Sequence, residues 1–204
     1  MSSPAGSGGP RISLTVSTAA QMRALGRRLA TLLRAGDLII LSGGLGAGKT
    51  TLTQGIGAGL GVRGPVTSPT FVIARVHPSL VPPLDGPDGP SGAAGGQAET
   101  GPALVHADAY RLGSVLELDD LDLDADTAAA VTVVEWGEGL AEGLAADRLE
   151  ITIIPDTTVI PDTAASGADA DDSPADSPRT VLICALGERW EGIQLPLADS
   201  VNRL

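Results

Sequence analysis

The chain of 204 residues holds a single cysteine, Cys184, and only one Phe, one Tyr and two Trp. One cysteine cannot form an intramolecular disulfide, and nothing in its use points to an oxidising compartment. Its apolar neighbours in Val181–Leu186 lead us to expect a buried structural thiol. Cations are scarce too, with 13 Lys+Arg against 25 Asp+Glu and a net charge of −12. Binding a phosphate backbone needs clustered cations that displace counterions, so the composition argues against direct, tight nucleic-acid binding by this chain alone. The acidity is uneven: Asp156, Asp162, Asp169, Asp171, Asp172 and Asp176 lie between Pro155 and Pro178, where no Lys or Arg occurs. No apolar run approaches the roughly 20 residues that span a bilayer, and Met1–Pro10 has neither a basic patch nor an apolar h-region. The expectation is a cytoplasmic protein with no membrane partner.

What is present reads as one α/β domain over 11–204, preceded by a Gly-, Ser- and Pro-rich stretch at 1–10 expected to be disordered. Arg11–Val16 alternates like a short strand. Thr18 and Gln21 fit a helix capping box, and Met22, Leu25, Leu29, Leu32 and Leu33 follow at helical spacing until Gly36. Asp37–Ser42 reads as a strand buried on both faces, and a helix is expected around Thr50–Leu60. Further strands are predicted at Thr70–His77, Ala103–Ala109, Val131–Val134 and Leu149–Ile154, with Thr180–Ala185 and Gly192–Leu195 as a closing pair. Low-complexity segments at 78–102 and 155–178 read as insertions, the first a flexible hairpin. Leu112–Asp126 suits a short helix or turn with an acidic face.

Between the buried strand and the second helix runs Gly43-Gly44-Leu45-Gly46-Ala47-Gly48-Lys49-Thr50, followed by Thr51. This satisfies G-x-x-x-x-G-K-[ST] in the strand–loop–helix context that the motif requires. Glycines let the backbone aim N–H groups at phosphates, Lys49 would reach the β and γ oxygens, and the Thr50 hydroxyl would bind magnesium. The expectation is ATP with Mg2+. Glu135 closes the strand Val131–Val134 where a P-loop sheet holds the metal and attacking water, so it could touch the metal through water or orient the nucleophile. Asp108 could complete a magnesium shell or tie down Arg111. Thr70, after Ser68-Pro69, could approach the γ-phosphate as a switch residue or simply open a strand. Phe71, Tyr110 and Trp136 all fall beside these motifs, and Trp136 could stack on a base or pack in the core. His106, on an apolar strand, reads as a core histidine with no catalytic role.

Taken in order, GxxxxGKTT, SPTF, HADAYR and VVEWGE resemble the TsaE (YjeE) family of bacterial tRNA threonylcarbamoyladenosine biosynthesis ATPases, over about Ile12–Ile154 with a weaker tail to Leu195. The resemblance implies a small P-loop ATPase that works with TsaB and TsaD proteins to form threonylcarbamoyladenosine at tRNA position 37, meeting tRNA only through that complex. By position it implies magnesium ligation by Thr50 and Glu135, a catalytic role for Lys49, Glu135 and Asp108, and nucleotide contacts from Trp136 and Arg179. Adenine is expected near Thr18. Gly44 departs from the family, many of whose members carry an acid there. The acidic stretch Glu117–Asp126 could be a docking face or a solvated helix face.

The same loop also serves two other classes of protein. A small-molecule kinase would need an acceptor pocket and often a basic lid, and no basic cluster follows the core strands. A non-hydrolysing regulator would use ATP only to set a conformation. The reading is therefore an α/β P-loop NTPase with a mixed, mostly parallel sheet flanked by helices, acting as a magnesium-dependent ATP hydrolase.

Overall fold

A computed structural model describes residues 11–70, 72–80, 101–112, 114, 117, 129–156 and 177–195. The elements run β1 (Arg11–Val16), α1 (Ala19–Ala30), β2 (Leu38–Ser42), α2 (Lys49–Leu60), β3 (Ala74–His77), β4 (Ala103–Asp108), β5 (Ala130–Glu135), β6 (Arg148–Pro155) and β7 (Arg179–Leu186). They form a seven-stranded sheet in the order β1-β7-β6-β2-β5-β4-β3. Strands β6, β2, β5 and β4 are mutually parallel at its centre, while β3 and β7 run against their neighbours and β1 runs against β7.

The central strands are aliphatic because both of their faces are covered; every residue of β2 and of β5 is buried. One face packs on α1 and α2 through Leu25, Leu29, Leu52, Ile56, Val131 and Val133. The other forms a smaller cluster around Ile40, Val105, Val134 and Ala141. Thr18 caps α1 by accepting from the Gln21 amide at 3.1 Å, and the Gln21 side chain accepts from the Ser17 amide at 2.8 Å. The two helices approach unusually closely. Their contact is made by glycines, since a Cβ on Gly55 would stand 2.3 Å from the Arg23 carbonyl oxygen and one on Gly26 2.4 Å from that of Leu52.

Three expectations need correction. The strand predicted from Thr70 begins only at Ala74: the amides of Val72 and Ile73 both donate to the Pro69 carbonyl, and Ile73 has φ +69°, which is turn geometry and not that of a strand. Gly192–Leu195 is not a strand, and β7 pairs instead with β1 and β6. Cys184 is half-buried, because β7 shows alternate residues to the outer face, where Cys184 lies between its strand partners Arg11 and Glu150. The predicted flexible insertions fall mostly outside the described residues. Their roots are tied down, Arg63 N donating to Pro78 O and Asp156 N to Pro178 O. The acidic face also lies outside the described residues, apart from Glu117. No helix among the described residues is long and apolar enough to cross a membrane.

Candidate nucleotide-binding site

The carboxyl ends of β2, β4 and β5 lie side by side, and the chemistry-bearing residues sit there. In an open α/β sheet this edge is where ligands bind. Beyond Ser42 the chain turns through Gly43–Gly48 into α2. Gly43, Gly46 and Gly48 have φ of 141°, 73° and 109°, a region that side chains disfavour. A Cβ on Gly43 would also meet the Ile153 carbonyl oxygen at 2.4 Å, whereas Gly44 has open space around it and would take a side chain. Ala47 is buried in the core beneath the loop, and Leu45 at its tip is 93% exposed. The helix starts at Gly48 with no side-chain cap, which leaves first-turn amides free to meet an anion.

Lys49 is folded back. Its Nζ donates to Gly43 O at 2.8 Å and Gly44 O at 2.9 Å, and stands 3.6 Å from the centroid of the Trp136 ring. Burial pushes its pKa down, against the pull of the Glu135 and Asp108 carboxylates. Trp136 takes φ +60° just past β5 and lies 5.1 Å from the Tyr110 ring.

The two carboxylates are register partners on β4 and β5. Both are buried. Glu135 accepts from the Thr50 hydroxyl, 2.8 Å to Oε1 and 3.1 Å to Oε2, and its Oε1 also lies 2.8 Å from His106 Nε2. Asp108 Oδ2 accepts from Thr70 Oγ1 at 2.5 Å and from Ser68 Oγ at 3.4 Å, while Oδ1 accepts from the Tyr110 amide at 2.9 Å. The amides of Val72 and Ile73 fold the chain back on Pro69 beside Thr70, and the Asp108 amide donates to Ile73 O at 2.8 Å.

These groups surround a cleft of about 280 Å³. Of the residues singled out from sequence, Leu45, Gly46, Gly48, Lys49, Thr50 and Thr51 line it from the loop and α2, Asp108 and Glu135 from the ends of β4 and β5, and Thr70 and Trp136 from the turns beside those strands. Gly43 and Gly44 meet it only through the carbonyls that hold Lys49. Arg179 does not line it. It is buried at the start of β7 behind Gly48, with Nη1 donating to Ser177 O and Nε without a partner among the described residues. Phe71 lies outside the described residues.

Two further residues reach the site in the structure. Ser68 lines the cleft beside Thr70. His106 is in the core as expected, yet its ring nitrogen is spent on Glu135. The sequence did carry a signal for it: His106 and Asp108 are two apart on a strand and so share a face.

Comparison with known proteins bears on the family and the fold. The family model described as "Threonylcarbamoyl adenosine biosynthesis protein TsaE" matches residues 16–160. A Streptomyces coelicolor protein named tRNA threonylcarbamoyladenosine biosynthesis protein TsaE is 54% identical over 170 residues, covering 83% of this chain and 93% of the relative. Proteins of the same name are 50% identical in Mycobacterium leprae, over 64% of this chain and 74% of the relative, and 34% identical in Bacillus subtilis, over 65% and 71%. Among solved structures, that of Bacillus subtilis YdiB superposes with a TM-score of 0.56 at 27% identity over 90% of each chain. The strand–loop–helix site, on a mixed sheet of the P-loop NTPase kind, and a family match over most of the described residues lead to one assignment: the chain belongs to the TsaE family.

Proposed function

We propose that this chain binds ATP with magnesium in the cleft, hydrolyses it, and serves the formation of threonylcarbamoyladenosine in tRNA together with TsaB- and TsaD-type proteins. The observation that carries the reading is the convergence of Lys49, Thr50, Asp108 and Glu135 on one cleft at the carboxyl ends of β2, β4 and β5. The donor set suits the metal. A hydroxyl and two carboxylates are hard oxygen ligands, and magnesium is ordinarily held by one or two carboxylates plus phosphates and water. Among the described residues no three His, Cys, Asp or Glu side chains are grouped to cage a metal alone, which fits an ion that arrives with its nucleotide.

In this reading the backbone of Gly43–Thr51 receives the phosphates, and Lys49 exchanges the carbonyls of Gly43 and Gly44 for phosphate oxygens. Thr50 and Glu135 would hold magnesium, which supplies charge neutralisation on the phosphates. The Thr50 hydroxyl spends its proton on Glu135, so its lone pairs stay available to a cation. Asp108, held by Thr70 and the Tyr110 amide, is placed to orient an attacking water. Trp136 flanks the nucleotide, and Arg179 supports the loop from behind Gly48. The chain's acidity fits a protein that meets tRNA through its partners in the cytoplasm, and residues 11–204 would form one P-loop domain with two insertions.

The test is magnesium-dependent ATP hydrolysis and nucleotide binding by the wild type and by Lys49→Ala. Binding that is lost in the variant supports the reading. Equal binding by the two proteins contradicts it.

A further inference from the structure

We propose that His106 is a positioning residue for Glu135: its Nε2–H donates to Oε1, fixes the carboxylate against Thr50, and leaves Oε2 as the oxygen available to a water or metal ion. This rests on the nucleotide-binding reading above. His106 is fully buried, and its Nε2 stands 2.8 Å from Glu135 Oε1. An ionised carboxylate can only accept, so the proton on that bond belongs to the imidazole. The ring's other nitrogen, Nδ1, has no partner among the described residues. Burying an imidazole in an aliphatic layer costs free energy unless its polar atoms are paired. The bond to Glu135 is the polar contact that offsets that cost here.

The geometry also distinguishes the two carboxylate oxygens. Oε1 receives both short bonds, from His106 and from Thr50, while Oε2 receives only the longer one from Thr50 at 3.1 Å. A Glu side chain has three rotatable bonds, and without His106 the Thr50 hydroxyl would be the one hydrogen-bond donor restraining its end among the described residues. Asp108 is the next residue but one on β4, so a single strand carries both a carboxylate of the site and the donor that orients the other carboxylate. Such outer contacts typically change metal affinity by about 10–100-fold.

The experiment measures the affinity of the full chain for a fluorescent ADP analogue with and without magnesium. It compares His106→Leu, His106→Asn and His106→Gln, each alone and in a Glu135→Gln background. A Gln amide can place a donor near the position of Nε2, whereas the shorter Asn cannot. With Glu135 intact, the Leu and Asn variants should lose about 10–100-fold of the magnesium-dependent gain in affinity, and Gln should recover most of it. Within each background, metal-free affinity should be the same with His106 and with its replacements. In the Glu135→Gln background the three changes should add nothing further. Equal behaviour of Asn and Gln, or losses that persist undiminished in that background, would overturn the proposal. Nitrogen-15 spectra of the histidine side chains separate its failure from failure of the nucleotide reading. A protected His106 Nε2–H that is lost or shifted in Glu135→Leu is expected even if no nucleotide binds, and its absence in the wild type refutes the positioning role.

Discussion

Replacing Glu135 by Ala and by Gln should part stability from function. Both substitutions remove the buried charge, so the cost of burying it cancels between them, and the difference isolates what the side chain accepts. Glutamine keeps a carbonyl oxygen to accept from His106 and an amide group that can pair with the Thr50 hydroxyl. Alanine leaves the fully buried His106 N–H without an acceptor, at about 1–3 kcal/mol. It also removes one buried methylene, at about 0.8 kcal/mol. Thr50 borders the cleft and can turn to water instead. The Ala variant should therefore be less stable than the Gln variant by about 2–4 kcal/mol, which in a protein of this size is roughly 5–15 °C in melting temperature. Urea titrations and thermal melts of the two variants measure the difference directly. Both should fail to hydrolyse ATP. If they unfold together, the bond of His106 to Glu135 does not carry the energy assigned to it.

Two further outcomes follow from the packing and titration of the sheet's surroundings. Gly55→Ala should gain about 1 kcal/mol in helix propensity and lose more, because its Cβ would meet backbone atoms of Arg23 that cannot yield; we expect a net loss of about 1–2 kcal/mol by denaturant titration, and a stabilised variant would refute the close helix contact. His77 is held below its ordinary pKa of 6.5 by burial, aided by His106 and Arg75, so as pH falls below that value the unfolded chain takes up a proton that the folded protein refuses. Stability should then fall by up to about 1.4 kcal/mol per pH unit until the folded-state value is reached, and His77→Phe should flatten that slope; parallel pH profiles of wild type and variant would contradict it.

Much of the fold was legible because periodicity and caps act locally. The Thr18–Gln21 cap, the all-buried β2 and the glycine loop are written in consecutive residues, and the structure places them as read. The misreadings lie where tertiary contacts decide. The sequence from Thr70 alternates like a strand, yet the amides of Val72 and Ile73 converge on Pro69 O and the Asp108 amide takes Ile73 O, so β3 starts only at Ala74. Leu195 is buried in the core without belonging to a strand, so its apolar character misled the prediction of a closing pair. Within the site, the loop, Asp108 and Glu135 were named from motif positions and do meet in one cleft. The bond from His106 to Glu135 spans 29 residues and depends on the β4–β5 register, which no single segment encodes. Arg179 depends likewise on where β7 starts, and it arrives behind the loop and outside the cleft.

The most direct test of the account is threonylcarbamoylation of a substrate tRNA by a TsaB–TsaD pair under multiple turnover with ATP and magnesium, without this protein, with it, and with its Glu135→Gln variant. Repeated turnover that requires the wild-type protein and collapses with the variant is the predicted result. Turnover that proceeds equally well without the protein, or equally well with the variant, would contradict the proposed role of this site.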